Sequence, residues 1–440
     1  MATSKARKKA ILKRNLFLGG CAAVLALIVL AVVLLVNAIG GNGSTPAVKN
    51  AEKKTVVKGD SNKVVATATV VNTGDIMVHS TQLTGAKTGN GYDFSDFFKA
   101  VSPYFNGADF SVANLEVTFG SEQSGIYSGY PAFNTPDILA DNIKDSGLKF
   151  LITANNHCYD TGLFGLKRTL DVLDTKKIPH TGTRKSESEK NYAVNNVNNI
   201  KIGMANFTYE NTNASTPAGR KSLNGNIIAS EANALVNSFS YSNLDKFYKQ
   251  AENVIKNMKN DGAEAVVFYM HWGEEYQLSQ NTWQKTIAQK LCNMGVDVII
   301  GGHPHVIQPM EMLHSEDSQN TTLCIYSLGN AISNQRQEIM HPECTTGHTE
   351  DGLLFSYTFQ KFGDGTVSLA NVKFIPTWVD KYKAGNGYHY TIYPLENENF
   401  GADKYGLSGA SATKSKASYN RTLALLSESF NKCLEEIKGK

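Results

Sequence analysis

The sequence predicts an α/β sandwich ectodomain preceded by one N-terminal transmembrane helix. Three observations point there. Short β-branched segments alternate with segments of helical spacing, the pattern of a sheet that is at least partly parallel. Nearly every residue able to bind a metal falls just past the C-terminal end of such a segment, where open α/β sheets place their sites. An uncharged run from Leu16 to Val36 follows a basic start.

The elements follow in chain order. Residues 1–15 are a basic cytoplasmic tail: Lys5, Arg7, Lys8, Lys9, Lys13 and Arg14 precede any acidic residue. Residues 16–38 are a signal anchor. As a helix the uncharged run would be roughly 32 Å long, enough to cross a bilayer. A signal-peptide core needs only about 7–15 residues, so cleavage after Ala38 is the alternative. The basic flank keeps the N-terminus in the cytoplasm, which puts the main domain outside a single-pass cell-membrane anchor. Cys21 has the apolar core after it, unlike a lipoprotein cysteine, and reads as part of the membrane helix. Residues 39–62, rich in Gly, Ser, Asn and Lys, read as a flexible tether.

The main domain is expected over residues 63–380. KVVATATVVNTGD is a strand stopping at Gly74-Asp75, and ADFSVANLE one ending at Glu116. LKFLITANNH ends at His157, and KIGMANFTY follows. The helical segment DKFYKQAENVIKNMKND leads into AEAVVFYMHWG, ending at His271. TWQKTIAQKLCNMG, with Gly295 as its C-terminal cap, leads into VDVIIGGHPH. TTLCIYSLGN is a further strand, and a hairpin turns on Gly363-Asp364-Gly365. Residues 381–440 form an extension ending in a docking helix.

Composition narrows the function. The chain has 440 residues, 41% apolar and 19% charged, which excludes global disorder. With 43 basic and 40 acidic residues the net charge is +3, and no nucleic-acid partner is implied. Beyond Cys21 the cysteines are Cys158, Cys292, Cys324, Cys344 and Cys433, an odd set for a disulfide framework.

The candidate site residues sit at the strand ends. Gly301-Gly302-His303-Pro304-His305 holds two histidines around a proline, expected in extended backbone. Asp75, Glu116, Asn156, His157 with nearby Asp160, and His271 complete a mixed oxygen and nitrogen set. Such a set suits zinc or a divalent transition metal better than calcium. Trp272 and Tyr276 read as packing, and residues 341–348 as a plain loop placed like a flap near the site; Arg336 and the lysines around 373–383 are candidates to meet an anionic substrate, with ordinary solvation as the alternative.

The ordered segments TGDIM, ANLE, ANNHCYD, MHWGEEY, GGHPHVIQPME, IYSLGN and PTWV, over about residues 66–380, resemble the CapA family. These are bacterial capsule-synthesis, or poly-γ-glutamate biosynthesis, proteins within the calcineurin-like metallophosphatase superfamily. The resemblance implies a metallophosphatase-like sandwich holding one or two divalent ions, manganese, zinc or iron. It implies Asp75 and His305 on the first ion, Asn156, His271 and His303 on the second, and Glu116 bridging. It makes His157 the proton donor, oriented by Asp160. A pair of ions would clamp the attacking and leaving oxygens of a displacement. The superfamily's first motif is Asp-x-His, whereas here Ile76 and Met77 follow Asp75. Met77 is a poor ligand for such metals, and His79 is the candidate substitute.

The expected role is therefore in biosynthesis or export of an anionic surface polymer, with a centre hydrolysing a phosphoester or a polymer end. The expected partners are the membrane, that substrate, and polymer synthase or export membrane proteins. A non-catalytic assembly subunit is the alternative, and a released nucleotidase or phosphodiesterase a third reading.

Overall fold

Apolar residues alternate along the central strands so regularly that both faces of each are buried. In Ala265–His271, Ala265, Val267 and Tyr269 enter one core and Val266, Phe268 and Met270 another. A period of two with both faces apolar demands a layer on each side. Each fully buried Val, Ile or Phe contributes about 1.5–3 kcal/mol.

The computed structural model describes residues 62–212, 215–385 and 387–439. The expected tail, anchor and nearly all of the tether lie outside the described residues. Among the described residues no helix is long and apolar enough to cross a membrane. All of them belong to one unit, Gly59–Lys440.

The main strands are β1 (Val64–Ile76), β2 (Phe110–Leu115), β3 (Phe150–Ile152), β4 (His180–Thr181), β5 (Ala193–Val197), β6 (Ile200–Tyr209), β7 (Ser238–Phe239) and β8 (Ala265–His271). They continue with β9 (Val298–Gly302), β10 (Ile307–His314), β11 (Thr321–Leu328), β12 (Asn330–Ile332), β13 (Asp351–Phe362), β14 (Val367–Ala384) and β15 (Gly387–Pro394). One eight-stranded sheet has the order β15-β14-β13-β1-β2-β3-β4, with β12 beside the end of β1. A seven-stranded sheet has the order β7-β6-β8-β9-β11-β10, with β5 beside β6. β1 to β4 run parallel, as do β7, β6, β8, β9 and β11. Every parallel strand therefore delivers its C-terminal end to the same edge of its sheet.

The two sheets share one core, in which Val70, Val112 and Phe355 meet Met204, Val267 and Ile300. Helices α1 (Ile138–Asp145) and α2 (Gly162–Lys176) cover the outer face of the first sheet. Helices α3 (Leu244–Asn260) and α4 (Thr282–Asn293) cover that of the second. The result is a four-layer α/β sandwich. At the start of α4 the Asn281 side chain accepts from Gln284 N at 2.9 Å, while Gln284 Oε1 accepts from Asn281 N at 2.9 Å. Gly295, with φ of 84°, follows its end, as the capping pattern predicts.

Helix α5 (Gly409–Lys438) seals the open side of the shared core with Leu426, Cys433 and Ile437. Phe430 meets Phe374 edge-on at 4.8 Å, and Arg421 forks onto Asp351 at 2.7 and 2.9 Å. The expected boundary at residue 380 falls inside β14, which runs on to Ala384 and pairs with β15. Strand β3 is shorter than its sequence suggests: after Ile152 the chain turns.

A candidate dinuclear metal centre

Local irregularities aim the site residues. The inward series of β1 is Ala68 and Val70, followed by Asn72, whose Oδ1 accepts from the inward Tyr269 hydroxyl at 3.0 Å. Strict alternation would turn Asp75 outward. The β1–β2 register slips between Asn72 and Asp75, and the β1–β12 register slips again between Asp75 and Ile76. Asp75 thereby joins the inner site, while Ile76 and Met77 enter the outer core. Met77 is thus withdrawn from the centre. His79 does not fill the gap: it starts a short helix, contacts Gln82 Oε1 through Nδ1 at 3.3 Å, accepts from Asn334 N at 3.2 Å, and meets Phe133 edge-on.

Glu116 follows β2, and His271 continues the inward series of β8. His303 and His305 follow β9 across Pro304, with φ of 94° and 56°. This corrects the expectation of extended backbone: both residues are in the left-handed region. The turn is held by Tyr276 N donating to the Pro304 carbonyl at 2.8 Å and by His303 N donating to Asp75 Oδ2 at 3.1 Å. Gly302 leaves room for that carboxylate, since a Cβ there would lie 2.9 Å from Asp75 Oδ1.

Asp75, Glu116, Asn156, His157, His271, His303 and His305 are all buried. Glu116, His303 and His305 can bring ligand atoms within 4.8 Å of one another, and so can Asp75, Glu116 and His271. Glu116 is common to both groups, which is what a bridging carboxylate requires. The groups cut across the implied partition, which paired His303 with His271 and His305 with Asp75. His271 Nε2 lies 3.3 Å from Glu116 Oε1 and 2.8 Å from Asn156 Oδ1, and His305 Nδ1 lies 3.5 Å from Asp75 Oδ2.

Electrostatics favours cation binding. Burial works to raise the Asp75 pKa, but the His305 hydrogen bond, the charges of His271 and His305 and the Asn114 amide hold it below the ordinary range. Burial opposes a charged His305, yet Asp75, Glu116 and Glu275 push it up to about 9. Burial and the neighbouring histidines hold His303 well below its ordinary value, so its ring is neutral. The buried His303 Nδ1 and Glu116 Oε1 have no hydrogen-bond partner. A neutral imidazole nitrogen and a carboxylate oxygen, both buried and without a hydrogen bond, fit a borderline divalent metal.

His157 and Asp160 pair at 2.8 Å between Nδ1 and Oδ2 with almost no exposure. Asp160 Oδ2 also accepts from Phe133 N at 2.7 Å, and Oδ1 from Asn224 Nδ2 at 3.1 Å. Phe133 stands edge-on to the His157 ring, 4.7 Å between centroids.

Sequence reasoning passed over the amides that organise the centre. Asn114 Nδ2 donates to Asp75 Oδ1 at 2.8 Å and Glu116 Oε2 at 3.2 Å. Asn155 Nδ2 donates to Asn114 Oδ1 at 3.0 Å, and Asn330 Oδ1 lies 3.1 Å from His305 Nδ1. Tyr209 lies over His303 at 4.6 Å. One signal was available: Asn114 is two residues before Glu116, hence on the same face. Arg336 is not a substrate contact. It is buried, paired with Glu350 at 2.7 Å and bonded to the Val379 carbonyl. Trp272 packs in the core, as expected. The five cysteines among the described residues are free and buried, and burial pushes the Cys158 thiol up to about 12.

A four-layer α/β sandwich with a buried His-carboxylate cluster at its strand ends defines the class. Residues 69–335, more than half of the chain, match the family described as bacterial capsule synthesis protein PGA_cap, and the chain belongs to that family. It is 28% identical over 273 residues to the capsule biosynthesis protein CapA of Bacillus anthracis, covering 61% of this chain and 60% of that one. It is 26% identical over 285 residues to the PGA biosynthesis protein CapA of Bacillus subtilis (strain 168), covering 62% and 64%. The match thus spans about three-fifths of these relatives. Among solved structures, TT1561 of Thermus thermophilus aligns with a TM-score of 0.33 and 9% identity, over 70% of this chain and 99% of that one.

Proposed function

We propose that this chain is a membrane-anchored, extracytoplasmic protein of capsule or poly-γ-glutamate biosynthesis or export, whose metal centre acts hydrolytically on a phosphoester or a polymer end. The observation that carries the reading is Glu116, shared by two buried ligand groups beside the His157–Asp160 pair. The names of the relatives support the polymer, and the uncharged run behind six basic residues supports the anchor.

Asp75, Glu116, Asn156, His271, His303 and His305 would hold one or two ions of manganese, zinc or iron. Such ions supply Lewis-acid polarisation and acidify water. The chain's own residues do the rest. The Asn114 amide holds Asp75 and Glu116 side by side. Asp160 accepts a hydrogen bond from His157 Nδ1, which orients the ring; with both ring nitrogens protonated, Nε2 passes its proton to the departing group. Phe133 and the buried loop after β3 hold that ring in place.

The test is metal content. Full-length chain, purified without chelator or affinity tag, is expected to carry one or two equivalents of a transition metal, and His303→Ala to lose them. Protein that stays empty when offered manganese, zinc and iron overturns the reading.

The position of Met77 in the outer core favours a second reading, a non-catalytic assembly subunit of a polymer synthase and export complex. Under it, cells carrying His271→Ala and His303→Ala keep their polymer output, while deletion of residues 1–38 abolishes it.

A further inference from the structure

A cavity of about 380 Å³ opens on the outer face of the second sheet, at the same C-terminal edge as the metal centre. Its walls include Arg220, Lys221 and Lys246 against a single acid, Glu210. Ser238 and Ser240 add hydroxyls, and the first turn of α3 forms one side.

Strand register places it. His271 on β8 pairs with Thr208 on β6, which pairs with Ser238 on β7. Adjacent strands are about 4.8 Å apart, so the cavity begins about 10 Å from His271. Tyr209, whose ring is tilted against that of His303 at 4.6 Å, and Glu210, lining the cavity, are consecutive residues that face opposite ways. The segment after Pro217 borders both places. Its stem, Arg220 and Lys221, lines the cavity, and its tip, Asn224, donates to Asp160 and to the Pro131 carbonyl.

The cations are only partly neutralised. Lys221 donates to the Val236 carbonyl at 2.9 Å and lies 3.9 Å from Glu210. Glu210 Oε1 also accepts from Ser238 at 2.8 Å. Burial brings the Lys221 amine down to about 8, with Glu210 opposing, as expected for a cation short of counter-charge. Lys246 is exposed at the rim.

We propose that this cavity is a second binding site, for a carboxylate of an acidic polymer whose end lies at the Glu116 centre. The proposal rests on the polymer reading above. A chain bearing carboxylates at regular intervals reaches both places around Tyr209, and the basic cavity holds it in register. The loop that carries Lys221 would then couple occupancy of the cavity to the Asp160 side of the catalytic pair.

The experiment uses full-length chain, metal-free so that the centre does not capture carboxylates, and fluorescently labelled γ-linked octaglutamate read by anisotropy, with free glutamate as a second probe. Lys246→Gln is expected to weaken octaglutamate binding about threefold, and Lys221→Met with Lys246→Gln about tenfold or more. Lys285→Gln, an exposed lysine on α4, is expected to match wild type. Lys246 is on the surface, so its variant reports binding even where the double variant folds poorly. Octaglutamate binding within twofold of wild type in both variants overturns the cavity assignment and leaves the polymer reading standing. Free glutamate bound and lost in the variants, with octaglutamate not bound, overturns the polymer reading and this proposal with it.

Discussion

Replacing Asn114 by alanine removes a single amide that binds both carboxylates. It donates to Asp75 at 2.8 Å and Glu116 at 3.2 Å, and accepts from Asn155 at 3.0 Å. Hydrogen bonds to charged groups contribute about 1.5–3 kcal/mol each. Asp75 keeps the His303 amide and His305, so its loss is at the low end. Together the losses amount to about 3 kcal/mol in metal-free protein. With unfolding entropy of about 2.1 cal/mol/K per residue over roughly 380 residues, that lowers Tm by about 4 °C. The assay is urea unfolding of chelated protein followed by tryptophan fluorescence, for which buried Trp272 and Trp378 are reporters. Adding manganese is expected to restore part of the loss, because a cation between the carboxylates replaces the amide. A loss below about 1 kcal/mol would refute the claim that Asn114 holds the two carboxylates together.

Three further outcomes are expected. Gly301→Ala drives a Cβ into the Tyr326 carbonyl and within 2.7 Å of Trp272 Nε1, both deep in the core; about 3 kcal/mol or more should be lost, seen as poor soluble yield and a lower urea midpoint. Glu350→Gln leaves the buried Arg336 without its counter-charge and should cost about 3–5 kcal/mol by the same unfolding assay. Burial lowers the His79 pKa to about 4 from 6.5, so the unfolded chain takes up that proton first as pH falls. Its stabilising effect is complete above pH 6.5 and shrinks toward pH 4, by about 2 kcal/mol at pH 5. Comparing wild type with His79→Gln across that range isolates it, and parallel pH profiles would show the assignment to be mistaken.

That the strand-end candidates come together was legible because the constraint behind it is simple. Parallel strands run the same way, so residues after their last apolar position share one edge. The centre's amides were not legible, since Asn114, Asn155 and Asn330 look like ordinary turn formers until their partners, distant in sequence, are brought alongside. The aim of Asp75 was also hidden, because it depends on two register slips, an extra residue in β1 against β2 and one in β12 against β1, that show only once the strands are paired. Strand β10 was missed because Pro309 interrupts VIQPMEML; it is an edge strand, where a missing amide is tolerated. Arg336 was misjudged because its acid, Glu350, lies beyond a loop that gives no local sign of pairing.

The left-handed turn at His303 and His305 has a consequence for descent as well as for chemistry. Each carries a full imidazole side chain where glycine or asparagine would sit at ease, at a cost of about 1–2 kcal/mol. Mutation alone would erode that arrangement, since His303→Gly and His305→Gly both relax the backbone. A lineage in which these two residues had no ion to hold would therefore drift toward glycine or asparagine at these positions and become more stable in doing so. Which residues stand on either side of Pro304 in any relative is thus a record of whether selection still maintains the centre.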